Sequence, residues 1–181
     1  EQHLQELPTR CYGTYGMTET VSHIALREIN GERKSSAYFA LGKVSFSTDE
    51  RGCLIINTPH LQQQRFITND IVRLVDTTHF EWLGRHDNVI NSGGVKLFPE
   101  SIEARIASFL SQRFFITAED DCRLGQKAVL VIESLPWDEA ECQQLLSRLK
   151  SCLSPYEVPK NIYFQEHLTE TYSGKIVRKI K

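Results

Sequence analysis

Four short stretches of this sequence set chemically capable side chains beside glycine-permitted turns. The first is Tyr12-Gly13-Thr14-Tyr15-Gly16-Met17-Thr18-Glu19-Thr20. A glycine lets the backbone approach a ligand without a side-chain clash. The hydroxyl of Thr18 could donate to a phosphate oxygen, and the carboxylate of Glu19 is the hard oxygen ligand that Mg²⁺ prefers. A bare Thr-Glu pair after a glycine reads more often as a turn with a capping threonine; the full string carries more information than the pair.

The second stretch pairs Thr68-Asn69-Asp70 with Gly84-Arg85-His86-Asp87. One carboxylate accepts from both hydroxyls of a vicinal diol such as ribose, and a nearby guanidinium donates to the same sugar. Asp70 and Arg85 bracket a predicted hairpin, which would bring them together; the bland alternative is a turn Asp and a surface Arg. The third is Ser92-Gly93-Gly94-Val95-Lys96, followed by Phe98-Pro99-Glu100-Ser101-Ile102-Glu103. Its glycines permit a tight hairpin turn with close backbone approach. Glu100 and Glu103 read as a solvated helix face, and Lys96 divides evenly between a surface lysine and a ligand-facing one. The fourth is Leu168-Thr169-Glu170-Thr171-Tyr172-Ser173-Gly174-Lys175-Ile176-Val177-Arg178. On charge alone it belongs to a basic, solvated tail.

Taken in order, these strings resemble the motifs of the adenylate-forming superfamily, which comprises acyl-CoA synthetases, luciferases and peptide-synthetase adenylation domains. The resemblance runs from Cys11 to Lys179. It implies that Thr18 contacts phosphate, Glu19 holds magnesium and Tyr15 stacks near adenine. It implies that Asp70 and Arg85 bind ribose, that Asp87 is the hinge of a mobile C-terminal domain, and that Gly93, Gly94 and Lys96 border a CoA channel. Lys175 would bridge the acid's carboxylate and the ATP α-phosphate, a preorganised cation of the kind whose loss costs roughly 10²–10³ in rate. Asn69 departs from the family's Thr-Gly-Asp; asparagine tolerates a left-handed turn. Thr169 departs from a usual proline. Thr20-Val21-Ser22-His23-Ile24 resembles the o-succinylbenzoate–CoA ligase branch of menaquinone biosynthesis, with Ser22 and His23 facing a second substrate carboxylate. The plainer reading of His23 is a surface residue at a helix start.

The resemblance implies ATP, Mg²⁺ and coenzyme A as co-substrates and cofactors, a small carboxylic acid as substrate, and no nucleic-acid partner. The alternatives are another fatty or aromatic acyl-CoA ligase, an adenylation domain loading a carrier protein, or a non-catalytic module that keeps the fold. The family's upstream phosphate loop, rich in Ser, Thr and Gly and ending in Lys, has no counterpart here: the Gly-Lys pairs are Gly42-Lys43 and Gly174-Lys175. A fragment without the large N-terminal domain is therefore expected, inactive by itself.

The elements that must hold these residues follow from pattern. Ala37–Phe46 and Cys53–Ile56 read as strands around a 48–52 turn, and Asp70–Val75 with Phe80–Leu83 as a hairpin. Ile102, Ile106, Phe109 and Leu110 recur on one helix face after Pro99. Phe114–Ile116 and Ala128–Ile132 read as buried strands. Asp138 caps a helix carrying Cys142, Leu145, Leu146, Leu149 and Leu153 on one face, ended by Pro155 and Pro159. Asn161–Phe164 reads as a last strand and Gly174–Ile180 as a short final helix. The expected fold class is α+β: residues 1–84, a small antiparallel unit ending the AMP-binding domain, then residues 85–181, a compact mobile α+β domain.

Composition agrees with a globular chain: 181 residues, 40% hydrophobic and 24% charged, with a net charge of −2. That charge gives no reason to expect nucleic-acid or membrane-surface attraction. No apolar run approaches the ~18 residues of a membrane span. The five cysteines are dispersed without a CxxC pair, which fits reduced thiols and a cytoplasmic setting.

Overall fold

A computed structural model describes residue 4 and residues 6–180. Its contacts divide the chain into two compact units, Glu1–His86 and Asp87–Lys181. The described residues form mostly antiparallel sheet with two α-helices. No helix among the described residues is long and apolar enough to cross a membrane.

The first unit is one antiparallel sheet of seven strands: β1 (Tyr12–Gly16), β2 (His23–Glu28), β3 (Ala37–Ala40), β4 (Ser45–Thr48), β5 (Cys53–Asn57), β6 (Arg65–Leu74) and β7 (His79–Arg85). They lie in the order β1-β2-β3-β7-β6-β5-β4. Period-two alternation sets the faces. Along β6, Phe66 and Thr68 are buried while Ile67 is exposed. The core gathers Ile24, Phe46, Leu54, Ile56, Phe66, Val72 and Phe80. Phe80 is its centre, edge-to-face with Phe46 at 4.8 Å and with Tyr15 at 5.1 Å, and stacked on Tyr38 at 5.4 Å. Such ring pairs add roughly 0.5–1.5 kcal/mol each beyond burial.

Three expectations change here. Ala37–Phe46 is two strands, because Gly42 at φ +61° turns the chain between them. β3 then pairs with β2 and β7, while β4 pairs with β5 at the far edge. Asn69 makes no left-handed turn; Thr68, Asn69 and Asp70 lie inside the ten-residue strand β6. His23 starts strand β2 and not a helix.

The second unit begins with a hairpin of β8 (Ile90–Ser92) and β9 (Val95–Leu97). Then come α1 (Pro99–Ile106), extended by a 3-10 turn to Phe109, β10 (Phe114–Asp121), β11 (Gly125–Glu133), α2 (Glu139–Lys150) and β12 (Ile162–Gln165). β11 is central: β10 pairs antiparallel along one edge, and the other edge is shared by parallel β12 and, at Gly125, by Ser92 of β8. α1 starts with Pro99 in its first turn. α2 starts with a reciprocal cap, in which Asp138 accepts from Glu141 N at 2.8 Å and Glu141 accepts from Asp138 N at 3.0 Å. Such a cap contributes ~1 kcal/mol. Ile102 and Ile106 from α1 and Leu145 and Leu149 from α2 bury against Ile116, Leu130 and Ile132 of the sheet. Cys142 is half-buried on the apolar side of α2, and burial, with the carboxylates of Asp138, Glu141 and Glu139 nearby, pushes its thiol up. All five cysteines are free thiols.

The expected final helix over Gly174–Ile180 does not form. Gly174 sits at φ +76°, a bridge joins Glu170 to Ile176, and the segment runs on without helix. With glycine in a left-handed turn and Ile176 packed against the Phe115–Val131–Leu168 cluster, the backbone finds its partners outside a helix.

Candidate active site

The first motif is the loop of the β1–β2 hairpin. Gly16 pairs with His23 across a bulge. A Cβ on Gly16 would stand 2.6 Å from the Ser22 carbonyl oxygen and 2.7 Å from His23 Cα, so only glycine closes this loop. Inside the loop the buried Thr20 hydroxyl accepts from Met17 N at 3.1 Å and lies 2.9 Å from both Met17 O and Ser22 O, donating to one at a time. Ser22 N donates to Thr20 O at 2.7 Å around Val21, whose φ of 66° and ψ of −41° make a tight and strained three-residue turn. The loop so held presents Thr18 and Glu19 on a single 3-10 turn, both exposed. Ser22 and His23 are exposed, with Ser22 Oγ 3.1 Å from His23 Nδ1.

The second motif converges on Asp70. Asp70 and Arg85 are cross-strand register partners on β6 and β7, and Arg85 Nη1 lies 3.5 Å from Asp70 Oδ1. Tyr15 donates its hydroxyl to the other carboxylate oxygen at 2.6 Å. Burial, then the hydrogen bond to Asp70 and its charge, push the Tyr15 hydroxyl far up from its ordinary value. Thr68 braces the site from below: its buried hydroxyl donates to Leu54 O at 2.9 Å and accepts from Asp70 N at 3.1 Å. The sequence places Thr68 in the motif but gives it no role; the signal for one was its place two residues before Asp70, on the same face of a strand. Asn69 alternates to the other face, where Arg51 donates to its side-chain oxygen at 3.1 Å.

No group of three His, Cys, Asp or Glu residues among the described ones is arranged to hold a metal ion. One exposed carboxylate beside a hydroxyl still suits Mg²⁺, which keeps several waters and binds through one or two carboxylates plus substrate phosphates. Glu19 and Thr18 therefore have the donor chemistry to share a magnesium ion with water and phosphate oxygens.

In the second unit, Asp87 is the first residue and is exposed. Gly93 and Gly94, at φ +58° and +84°, form the β8–β9 turn, and Gly93 N donates to Leu124 O at 2.8 Å. Lys96 is exposed on β9. Lys175 closes a compact turn in which its N–H donates to Thr171 Oγ1 at 3.1 Å and its carbonyl accepts from Thr171 N at 2.8 Å; its side chain is exposed. The expectation of a solvated face for Glu100 and Glu103 is wrong. Both are substantially buried, because Arg178 folds back onto them and brings the counter-charge that burial demands. The hydrogen bond and charge of Glu103, with the charge of Glu100, outweigh burial and raise the Arg178 guanidinium still higher.

No protein-family model matches the chain. It is 29% identical over 193 residues to a 2-succinylbenzoate–CoA ligase of Lactococcus lactis, covering 97% of this chain and 42% of that protein. Among solved structures it is 42% identical to an AMP-forming acyl-CoA synthetase/AMP-acid ligase II-like protein of Dyadobacter fermentans, covering 98% of this chain and 51% of that one at a TM-score of 0.50. It shares its fold, at 19% identity and a TM-score of 0.75, with the o-succinylbenzoate coenzyme A synthetase of Bacillus subtilis in complex with ATP and magnesium, covering 98% and 42%. The chain thus spans about two fifths to a half of the length of these relatives. These similarities support the adenylate-forming acyl-CoA synthetase superfamily for the chain.

Proposed function

We propose that the chain is part of an ATP-dependent acid–CoA ligase, and that the acid is o-succinylbenzoate. The observation that carries the nucleotide half of this reading is Asp70, a carboxylate fixed by Tyr15 and Thr68 beside Arg85. Its two oxygens offer about four acceptor positions, so it retains capacity for both hydroxyls of a ribose. In the first half-reaction the substrate carboxylate attacks the ATP α-phosphorus and pyrophosphate leaves. Thr18 would orient phosphate, Glu19 would hold a magnesium ion that supplies charge neutralisation when bound, and Lys175 would bridge acid and α-phosphate. In the second, CoA thiolate attacks the acyl carbon and AMP leaves, with the Gly93-Gly94 turn and Lys96 along the thiol channel and Asp87 as hinge. Residues 1–84 would close the AMP-binding domain and residues 85–181 form the mobile one.

Support for the particular acid is the alignment to a 2-succinylbenzoate–CoA ligase along nearly the whole chain, together with the exposed Ser22–His23 pair. The test is a coupled assay of the full-length enzyme with ATP, CoA and, in turn, o-succinylbenzoate, benzoate and octanoate. If o-succinylbenzoate is no better than the others, the assignment of the acid fails while the class stands. Lys175→Ala should lower acyl-adenylate formation roughly 10²–10³-fold; unchanged formation would remove Lys175 from the chemistry.

A further inference from the structure

Within the turn that carries Lys175 the bonds are short-range: Gly174 N to Thr171 O at 2.9 Å, the two between Thr171 and Lys175, and the Thr171 and Ser173 hydroxyls at 3.0 Å, while Ile176 beside the lysine packs against Phe115, Val131 and Leu168. Tyr172 at its tip is fully exposed. Its placement on the second unit comes from the two ends. Before it, Arg113 pairs with Glu170 and lies 3.5 Å from Glu133. After it, three residues past the lysine, Arg178 forks onto both oxygens of Glu103, with Nη2 at 2.8 Å from Oε2. Arg178 also donates to Ile116 O at 3.0 Å, and its own carbonyl accepts from Thr117 Oγ1 at 3.3 Å. Glu103 is fixed in turn by the N–H of Ile116 at 2.6 Å. Glu100, 3.7 Å from Arg178, accepts from Asn88, the residue after Asp87. The Arg113 end is about half exposed and the Arg178 end is not. Exposed pairs hold weakly, and a buried fork holds direction as well as distance.

We propose that Arg178 is a positioning residue for Lys175: its fork onto Glu103 of α1 fixes the segment that presents the lysine, and Glu100 on the same helix ties that segment to Asn88. The proposal rests on the adenylation role given above to Lys175. It has a half-reaction signature, because the lysine serves adenylation and not thiol attack.

The experiment uses the full-length enzyme and whichever of the three acids supports turnover. Adenylation is read by ATP–pyrophosphate exchange. Thioester formation is read by CoA-dependent consumption of the chemically prepared acyl-adenylate. Folding is read by the thermal midpoint. Displacing a reacting group by about 1 Å costs on the order of 10²-fold, so Arg178→Ala should slow exchange ~10–100-fold and leave thioester formation within about threefold. Arg178→Lys, a point charge without the fork, should fall between Ala and wild type. Unchanged exchange, or equal loss in both half-reactions, overturns the proposal. Should Arg178→Ala not fold, Arg178→Lys and Glu103→Gln are judged by the same two outcomes. Unchanged exchange in Lys175→Ala would instead overturn the adenylation role itself, whatever Arg178 does.

Discussion

The Tyr15 hydroxyl donates a 2.6 Å hydrogen bond to Asp70 Oδ2 across 55 positions of sequence. That bond joins the hairpin loop bearing Thr18 and Glu19 to the strand pair bearing Asp70 and Arg85. It also keeps Tyr15 neutral, since the hydroxyl must hold its proton to donate it, and burial together with Asp70 pushes that hydroxyl up.

Removing that donor should weaken nucleotide binding before it unfolds anything. A hydrogen bond to a charged group is worth about 1.5–3 kcal/mol, and partial exposure puts this one at the low end. Tyr15→Phe in the full-length enzyme should raise the KM for ATP roughly tenfold, the equivalent of ~1.4 kcal/mol. Asp70→Asn should raise it further. A KM for ATP unchanged in both would remove the pair from nucleotide binding. The same geometry sets a pH sign. The raised folded value favours the neutral phenol, so its stabilisation is complete below the ordinary ~10 and is lost as pH rises beyond it. In an absorbance titration of tyrosinate, one tyrosine should fail to ionise until the protein unfolds.

Gly16 admits no side chain. A Cβ there meets backbone atoms at 2.6 and 2.7 Å, not the yielding end of a flexible side chain. Gly16→Ala should cost about 1–3 kcal/mol, the range for overpacking, and should shift the loop holding Thr18 and Glu19. Chemical denaturation gives the stability and pyrophosphate exchange the activity. An alanine variant of wild-type stability would show that the loop opens without cost.

Much of this was legible because it is local or strictly periodic. Asp138 just before the apolar-periodic run announced the cap of α2, and the spacing of Ile102 and Ile106 announced the buried face of α1. Asp70 and Arg85 were placed together because a hairpin pairs its ends by register. What stayed hidden depends on distant partners. Nothing near Glu100 and Glu103 in sequence discloses Arg178, which lies 75 positions beyond Glu103, so a solvated face was the natural reading. The absence of helix over 174–180 has the same origin: the segment's hydrogen bonds go to Thr169 and Thr171 and its guanidinium to α1. Asn69 misled in the opposite sense, since a turn-forming residue type sits in mid-strand where Arg51 takes its side chain.

The turn between β6 and β7 gives an acid-side prediction. Asp76 accepts from Thr78 Oγ1 at 2.7 Å and Thr78 N at 2.6 Å, with His79 Nδ1 at 3.1 Å. The hydrogen bonds from Thr78, then that of His79, lower its carboxyl to about 2 from an ordinary 3.8. A depressed value means stability present above the ordinary value and lost as pH falls through the folded one. The thermal midpoint of Asp76→Asn should therefore lie below wild type at pH 7, and the difference should close between pH 3.8 and about 2. A gap that persists at the acid end would show that the asparagine perturbs the turn by some route other than charge.

Thr20 makes the sharpest claim about the loop, because one buried hydroxyl closes it. It takes the Met17 N–H and serves the Met17 and Ser22 carbonyls while Val21 is held in a conformation β-branched residues avoid. Thr20→Val keeps the volume and strips the polar partner, which for a buried group costs about 1–3 kcal/mol. The strained turn at Val21 should then relax, and Thr18 and Glu19 should lose their common presentation. The full-length variant should need a higher Mg²⁺ concentration for half-maximal pyrophosphate exchange, with Thr20→Ser restoring both stability and the Mg²⁺ requirement because it restores the hydroxyl. If Thr20→Val loses stability but titrates with Mg²⁺ as wild type does, the loop's closure and the presentation of Glu19 are independent. In that case the strain at Val21 serves something other than the turn that carries Thr18 and Glu19.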